Sequence, residues 1–361
     1  MDRRQFTLAA SAATVATAAG TPLHAALFTH AGGPHLSAYI PALAETPEIG
    51  RVSLCDPSGE CVSAARKALG SRLDGVYTNP AELLRKEKPA MALVTMEAQL
   101  APTVIAQALD AGAHVLAEKP ACVALEDFAA LAAKAKTEKR QLVLALANRV
   151  DPVVTRARQL VQQGAIGKVY GQQLHIVADQ TRLTRPAYHQ SWLASVERAG
   201  GGHLIWLGIH WLDLACYITG TRIRAVSAFT ANAGGQPIDA EDSACVALEF
   251  DNGTLGTLNS GYYLDKGYHT MIKIWGSEGW IEMRRHTGPL LEWYSNASGK
   301  RERLETVDGP SGYTPFVQRM TRAFAGLAPP PLTAEDSLRA LDVVFSAYRS
   351  ARTGTRVRVE S

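Results

Sequence analysis

At 361 residues the chain is long enough for two domains, and a 47% hydrophobic content supports a packed globular core. The net charge of +3 is spread over both signs, with no basic stripe interleaved with aromatics, which argues against a nucleic-acid partner. Five cysteines (Cys55, Cys61, Cys122, Cys216 and Cys245) form no CxxC pair and no cysteine–histidine cluster at zinc spacing. They read as single buried thiols, and no metal is expected. Past the N-terminus, no apolar run is long enough to span a bilayer.

The N-terminus reads MDRRQFTLAASAATVATAAGTPLHAALF. The twin arginines Arg3 and Arg4 precede Phe6, an acid-free Ala/Thr stretch and small residues near Ala19, Gly20 and Ala25. Residues 1–25 therefore match a twin-arginine export signal, which implies a periplasmic or otherwise exported protein. The other reading is an ordinary N-terminal arm that happens to hold two arginines, on a cytoplasmic protein. The twin-arginine route carries folded chains, which suits a protein that loads a cofactor before export. The first core strand is expected at about Ala26, leaving almost no spacer after cleavage.

From residue 26 onward, short apolar runs alternate with helical patterns. Strands are expected at 26–29, 51–55, 75–77, 90–95, 114–117 and 142–147. Helices are expected at 36–45, 60–69, 81–86, 102–111 and 125–136. This alternation predicts a parallel, doubly wound α/β sheet that binds its ligand beyond the carboxyl ends of the strands. The first strand runs into "THAGGPHL", where Gly32, Gly33, Pro34 and His35 form a glycine loop of partly eroded dinucleotide type. Only Gly33 keeps a fingerprint position, and Pro34 removes an N–H that could bond phosphate. A plain strand–helix turn would look the same. Asp56 closes the second strand, where a carboxylate can bind the ribose hydroxyls of NAD and would repel the 2′-phosphate of NADP. It could equally serve as a helix N-cap.

Two further motifs carry chemistry. In "AGAHVLAEKP", Glu118, Lys119 and Pro120 close a strand and aim the lysine into the expected cleft. An ammonium there can stabilise a hydroxyl that loses its proton. The bland alternative is a surface lysine in a turn. In "GGGHLIWLGIHWLDLACYITG", three glycines lead into an apolar helix that carries Trp206, His210 and Asp213. His210 is a candidate base, or else a satisfied core histidine.

Together, "AGAHVLAEKP" and "GGG…LGIHWLD" resemble the glucose–fructose oxidoreductase / inositol dehydrogenase / MocA family. Similar text follows in "RVSLCDPS", "EDSACVALEFDNGTLGTL" and "IKIWGSEGWIEM", so the likeness covers almost all of the chain after residue 25. The resemblance implies a Rossmann NAD-binding domain at 26–148. It implies a substrate-binding and oligomerisation domain at 149–361, built on a large, open, mostly antiparallel sheet. Strands at 168–180, 222–232, 242–250, 254–263, 269–275 and 279–283, a helix at 334–352 and a last strand at 356–359 fit that second domain. A homodimer or homotetramer through the sheet is implied as well.

The resemblance also assigns roles. Lys119 and His210 match the family's catalytic lysine and histidine, and Asp213 a further acidic position. The family's acid, four residues before the histidine, falls on Trp206. An indole offers an N–H and an apolar face but cannot accept a proton; it can stack on a sugar or simply pack the core. Asp213, Asp179 or Glu197 could stand in for the acid. Asn148, Arg182, Tyr188 and His189 are candidate substrate contacts, with Arg185, Trp192 and His203 as weaker ones. Glu97 departs from the family pattern and would place negative charge near the nicotinamide ribose.

Three functions follow in order. The first is an exported NAD-dependent oxidoreductase acting on a sugar hydroxyl, with tightly held cofactor. The second is a glycoside hydrolase or lyase that uses bound NAD for transient oxidation without net redox. The third is a non-catalytic sugar- or nucleotide-binding relative.

Overall fold

The computed structural model describes residues 22–264, 266–285 and 288–360. Six apolar runs form a parallel sheet: β1 (Leu23–Phe28), β2 (Ile49–Cys55), β3 (Leu73–Tyr77), β4 (Met91–Val94), β5 (His114–Ala117) and β6 (Leu142–Leu144). Their order is β3-β2-β1-β4-β5-β6, the doubly wound arrangement in which strand order reverses beside β1. β4 is apolar throughout, and β1 is apolar apart from His24, because helices cover both faces of the sheet. The crossover helices fall where the 3.6-residue pattern places them, at Leu36–Glu45, Val62–Leu69, Pro80–Glu87, Ala101–Asp110 and Leu125–Thr137.

β1 begins at Leu23, three residues before the expected start. His24 and Ala25 are already buried within it, so a cut after residue 25 would remove half of the strand. The export-signal segment up to residue 21 lies outside the described residues. The last strand also differs from expectation. β6 stops at Leu144, and Ala147–Val150 forms a 3-10 turn that leads into the helix Pro152–Gln162. That helix starts at a Pro, with the Asp151 carboxylate accepting the Val153 N–H at 2.9 Å.

The second half builds β7 (Val169–Asp179), β8 (Ile223–Ala231), β9 (Ser243–Phe250), β10 (Leu255–Leu264), β11 (Tyr268–Gly276), β12 (Gly279–Arg285), β13 (Leu291–Ser295), β14 (Lys300–Leu304) and β15 (Val357–Arg358). They form one sheet in the order β14-β13-β12-β11-β7-β10-β9-β8-β15. Only β7 and β10 pair in parallel; the other neighbours are antiparallel. The expected open, mostly antiparallel sheet is thus present, extended by β13 and β14. One face packs against the helices Ile209–Thr219 and Ala334–Thr353. The other face leaves Tyr170, Phe229, Leu255 and Trp275 exposed. A helix at Tyr313–Phe324, absent from the sequence expectations, returns to the first domain and packs on Leu36–Glu45.

Candidate active site

The glycines that open the helical segment have a mechanical explanation. Gly200 has φ +81°, and a Cβ on Gly202 would stand 1.9 Å from the Glu241 carbonyl oxygen. This close approach lets the Glu241 carboxylate accept the N–H groups of Gly202 (2.6 Å) and Leu204 (2.9 Å). The Tyr348 hydroxyl donates to Glu241 at 2.8 Å and accepts the Ile205 N–H at 3.1 Å. The first-turn donors of the helix are satisfied in this way, so the glycines seat a helix rather than a phosphate. The helix begins with a π turn, Leu204–Gly208, and continues as an α-helix, Ile209–Thr219. Such π turns recur at functional sites.

That helix delivers Trp206 and His210 to the carboxyl end of β5, where Lys119 projects. Lys119 is 1% exposed. Its Nζ lies 3.1 Å from the centroid of the Trp206 indole and donates to the Trp206 backbone carbonyl. The indole face holds the ammonium electrostatically, as aromatic quadrupoles do. Trp206 also stacks on His35, with centroids 5.6 Å apart, and meets the edge of Trp192 at the same separation. Trp206 is therefore part of the site, not only of the core. The Nδ1 of His210 is buried without a hydrogen-bond partner among the described residues. Desolvation, reinforced by the charges of Lys119, His35 and Arg285, pushes the His210 pKa well below its ordinary value. The imidazole is neutral at pH 7 and can accept a proton.

The glycine loop closes the other side. Gly32 has φ +70°, and a Cβ on Gly33 would stand 2.0 Å from Thr29 Oγ1 and 3.0 Å from the Thr95 carbonyl, which explains why that glycine is kept. The Pro34 carbonyl accepts the Thr95 hydroxyl. His35 Nδ1 lies 3.2 Å from Glu118 Oε2 and 2.9 Å from the Tyr313 hydroxyl. Glu118 also accepts the Tyr39 hydroxyl, while its Oε1 is buried without a partner among the described residues. Asp56 accepts Ser58 N–H (3.1 Å), Ser58 Oγ (2.6 Å) and Cys61 N–H (2.9 Å). Burial alone would raise this carboxyl, but those hydrogen bonds outweigh it and hold the pKa below the usual value. Asp56 thus shapes the start of the next helix as a capping residue would.

Other sequence candidates go elsewhere. Asp213 does not replace the missing acid: Arg149 holds it in a bidentate pair at 2.6–3.1 Å and reaches Asp336 at 2.9 Å. Desolvation raises the Asp213 pKa despite that partner. Glu97 brings no net negative charge, because Arg198 clamps both of its oxygens at 2.7 and 2.6 Å from the second domain. Asn148 lines a crevice with Trp211 and Arg285. Arg182 falls in the turn Gln180–Arg182, which Asp179 caps by accepting the Thr181 N–H at 2.7 Å. His189 bonds the Leu183 carbonyl at 2.5 Å and Tyr188 donates to the Leu193 carbonyl at 3.4 Å, so both brace their own loop. Arg185 and Glu197 are exposed. His203 is buried and bonds Ser260 at 2.6 Å. Trp192 does reach the site, donating to the Gly32 carbonyl at 3.5 Å.

Sequence reading missed Arg149, Arg198, Glu241, Tyr313 and Tyr348. Each acts on a partner far along the chain, and no local motif announces it.

Glu118 Oε1, His210 Nδ1 and His30 Nδ1 are buried polar atoms at this cleft without partners among the described residues. They call for a polar ligand. With Gly32–His35 at the end of β1 and Asp56 at the end of β2, they fit a dinucleotide lying across the switch point.

The fold and site thus define a two-domain, dinucleotide-dependent oxidoreductase. Residues 32–146 match the oxidoreductase family with an NAD-binding Rossmann fold, and residues 154–282 match the GFO/IDH/MocA C-terminal domain. The chain belongs to the GFO/IDH/MocA oxidoreductase family. It is 24% identical to myo-inositol 2-dehydrogenase of Thermotoga maritima, over 80% of this chain and 85% of that one. It is 30% identical to dTDP-3,4-didehydro-2,6-dideoxy-alpha-D-glucose 3-reductase of Streptomyces violaceoruber, over 80% of each. A levoglucosan dehydrogenase solved with NADH and L-sorbose superposes with a TM-score of 0.81 at 19% identity, over 94% of this chain and 100% of that one.

Proposed function

We propose that the protein oxidises a hydroxyl of a sugar or sugar derivative with tightly bound NAD, after export by the twin-arginine route. The observation that carries the reading is the convergence of a buried Lys119 and a neutral His210 at the carboxyl end of β5. The names of the relatives, sugar or inositol dehydrogenases and reductases, support the substrate class. Gly32–His35 and Asp56 would hold the dinucleotide, with Glu118 and Lys119 beside it. When bound, NAD supplies the hydride acceptor. His210 then accepts the hydroxyl proton, and the Lys119 ammonium stabilises the developing oxyanion. Trp206 positions Lys119 through its ring face and its backbone carbonyl.

The Glu97–Arg198 pair and the Trp192–Gly32 contact fasten the second domain to the nucleotide side, which supports a retained cofactor. The absence of a carboxylate at position 206 favours one second reading, a glycosidase or lyase that returns the hydride to the same sugar. The exposed sheet residues Tyr170, Phe229, Leu255 and Trp275 support a homo-oligomer through that face. If a leader is removed, its cut lies before Leu23.

The test is a panel of sugars, sugar acids and cyclitols incubated with enzyme and NAD, read by NADH formation and product analysis. NADH formation that Lys119→Met abolishes supports net oxidation. Aglycone release without NADH supports the second reading. Neither product across the panel, with no effect of NAD, would sink both.

A further inference from the structure

A second cavity of about 490 Å³ lies between the helices Pro152–Gln162, Ile209–Thr219 and Ala334–Thr353. Lys119, Trp206 and His210 do not line it. Four guanidiniums do: Arg149, Arg158, Arg222 and Arg339. Its carboxylates, Asp213 and Asp336, are already committed. Asp213 pairs with Arg149, and Asp336 with Arg149 and Arg339. Arg158 and Arg222 have no carboxylate partner among the described residues. The Arg158 guanidinium carbon rests 4.2 Å from the Tyr217 ring centroid and that of Arg149 rests 4.9 Å from it, so the aromatic ring pre-orients two of the cations.

We propose that this cavity binds a small organic dianion, a dicarboxylate or a phosphate monoester, at a site separate from the oxidoreductase centre. Two uncompensated guanidiniums in one concave wall match two negative charges, and their planar donor forks suit carboxylate and phosphate oxygens alike. Leu212, Ile223, Val343 and Val359 line the remaining wall and give a carbon skeleton an apolar surface. The volume exceeds what a lone inorganic anion fills. Arg149 belongs to this wall and also to the ion pair on the helix that carries His210, so an occupant touches the helix through Asp213.

The test is calorimetry on the full chain with two probes, succinate and glycerol 3-phosphate, at constant ionic strength set by sodium chloride. At least one probe binds the wild type, and the preferred probe names the anion type. The double variant Arg158→Met/Arg222→Met weakens that binding by about tenfold or more and leaves NAD affinity unchanged. Arg222→Met alone, at an exposed side chain, weakens it in the same direction and guards against misfolding of the double variant. The proposal is overturned if neither probe binds below about 10 mM, or if the variants bind as the wild type does. The latter result would put the anion on the glycine loop instead.

Discussion

Lys119 and Trp206 are joined twice: the ammonium sits 3.1 Å from the indole centroid and also donates to the Trp206 backbone carbonyl. The backbone bond survives any substitution at position 206, while the ring contact depends on the indole. In the family this sequence resembles, an acid stands there. Lys119 and His210 are both present here, and the lysine is held by a ring face rather than a carboxylate.

Trp206→Asp should restore a charge partner. A carboxylate one turn before His210 favours the imidazolium and offsets the Lys119 charge that now depresses it. The acid limb of the kcat/KM profile is expected to move up by about one pH unit. An unmoved limb would mean that His210 is not the titrating base.

Lys119→Met should lower kcat/KM by about 10²–10⁴, the usual contribution of a positioned proton-handling group. It should also raise the His210 pKa, because the lysine charge is the largest of the charges that depress it. Proton-detected titration of the histidine ring reads the second effect independently of turnover. A His210 pKa that stays put or falls would separate the two side chains.

The depressed His210 pKa links folding to pH. The unfolded chain binds a proton near pH 6.5, and the folded chain binds it only at lower pH. The stabilisation is present above the unfolded pKa and is lost as pH falls from about 7 through the folded pKa. His24, His114 and His175 are shifted the same way, while the raised carboxyls of Asp213 and Glu241 act in the opposite sense. Comparing His210→Gln with wild type isolates one residue. The fall in Tm between pH 7 and pH 5 should be shallower in the variant. Parallel curves would contradict the assignment.

Arg149→Met should cost about 3–5 kcal/mol, because it strands the buried Asp213 carboxylate without its bidentate partner. Adding Asp213→Leu should recover most of that loss. Denaturant unfolding of the three proteins checks both statements. A small effect of the first change would mean that the pair is no more than a surface contact.

The strand–helix alternation made the first domain legible, because each parallel strand is a short apolar run between amphipathic helices. β13 and β14 escaped, because residues 286–312 mix charge, glycine and turn residues without a clear period. Lys119 and His210 were readable because each sits in a local motif. The fate of Asp213 and Glu97 was not, since the arginines that neutralise them lie 64 and 101 residues away in sequence. The triple glycine was visible in the sequence as the start of a helix, but the close approach to Glu241 was not. Glu241 is named only once the chain has folded back upon it.

The most direct test of the account is to denature the purified protein and assay the released nucleotides. NAD or NADH close to one per chain is the expected result, and it would show that the eroded glycine loop still holds its cofactor. No released nucleotide, together with no calorimetric binding of added NAD, would contradict the account and leave Lys119, Trp206 and His210 as the wall of a binding pocket.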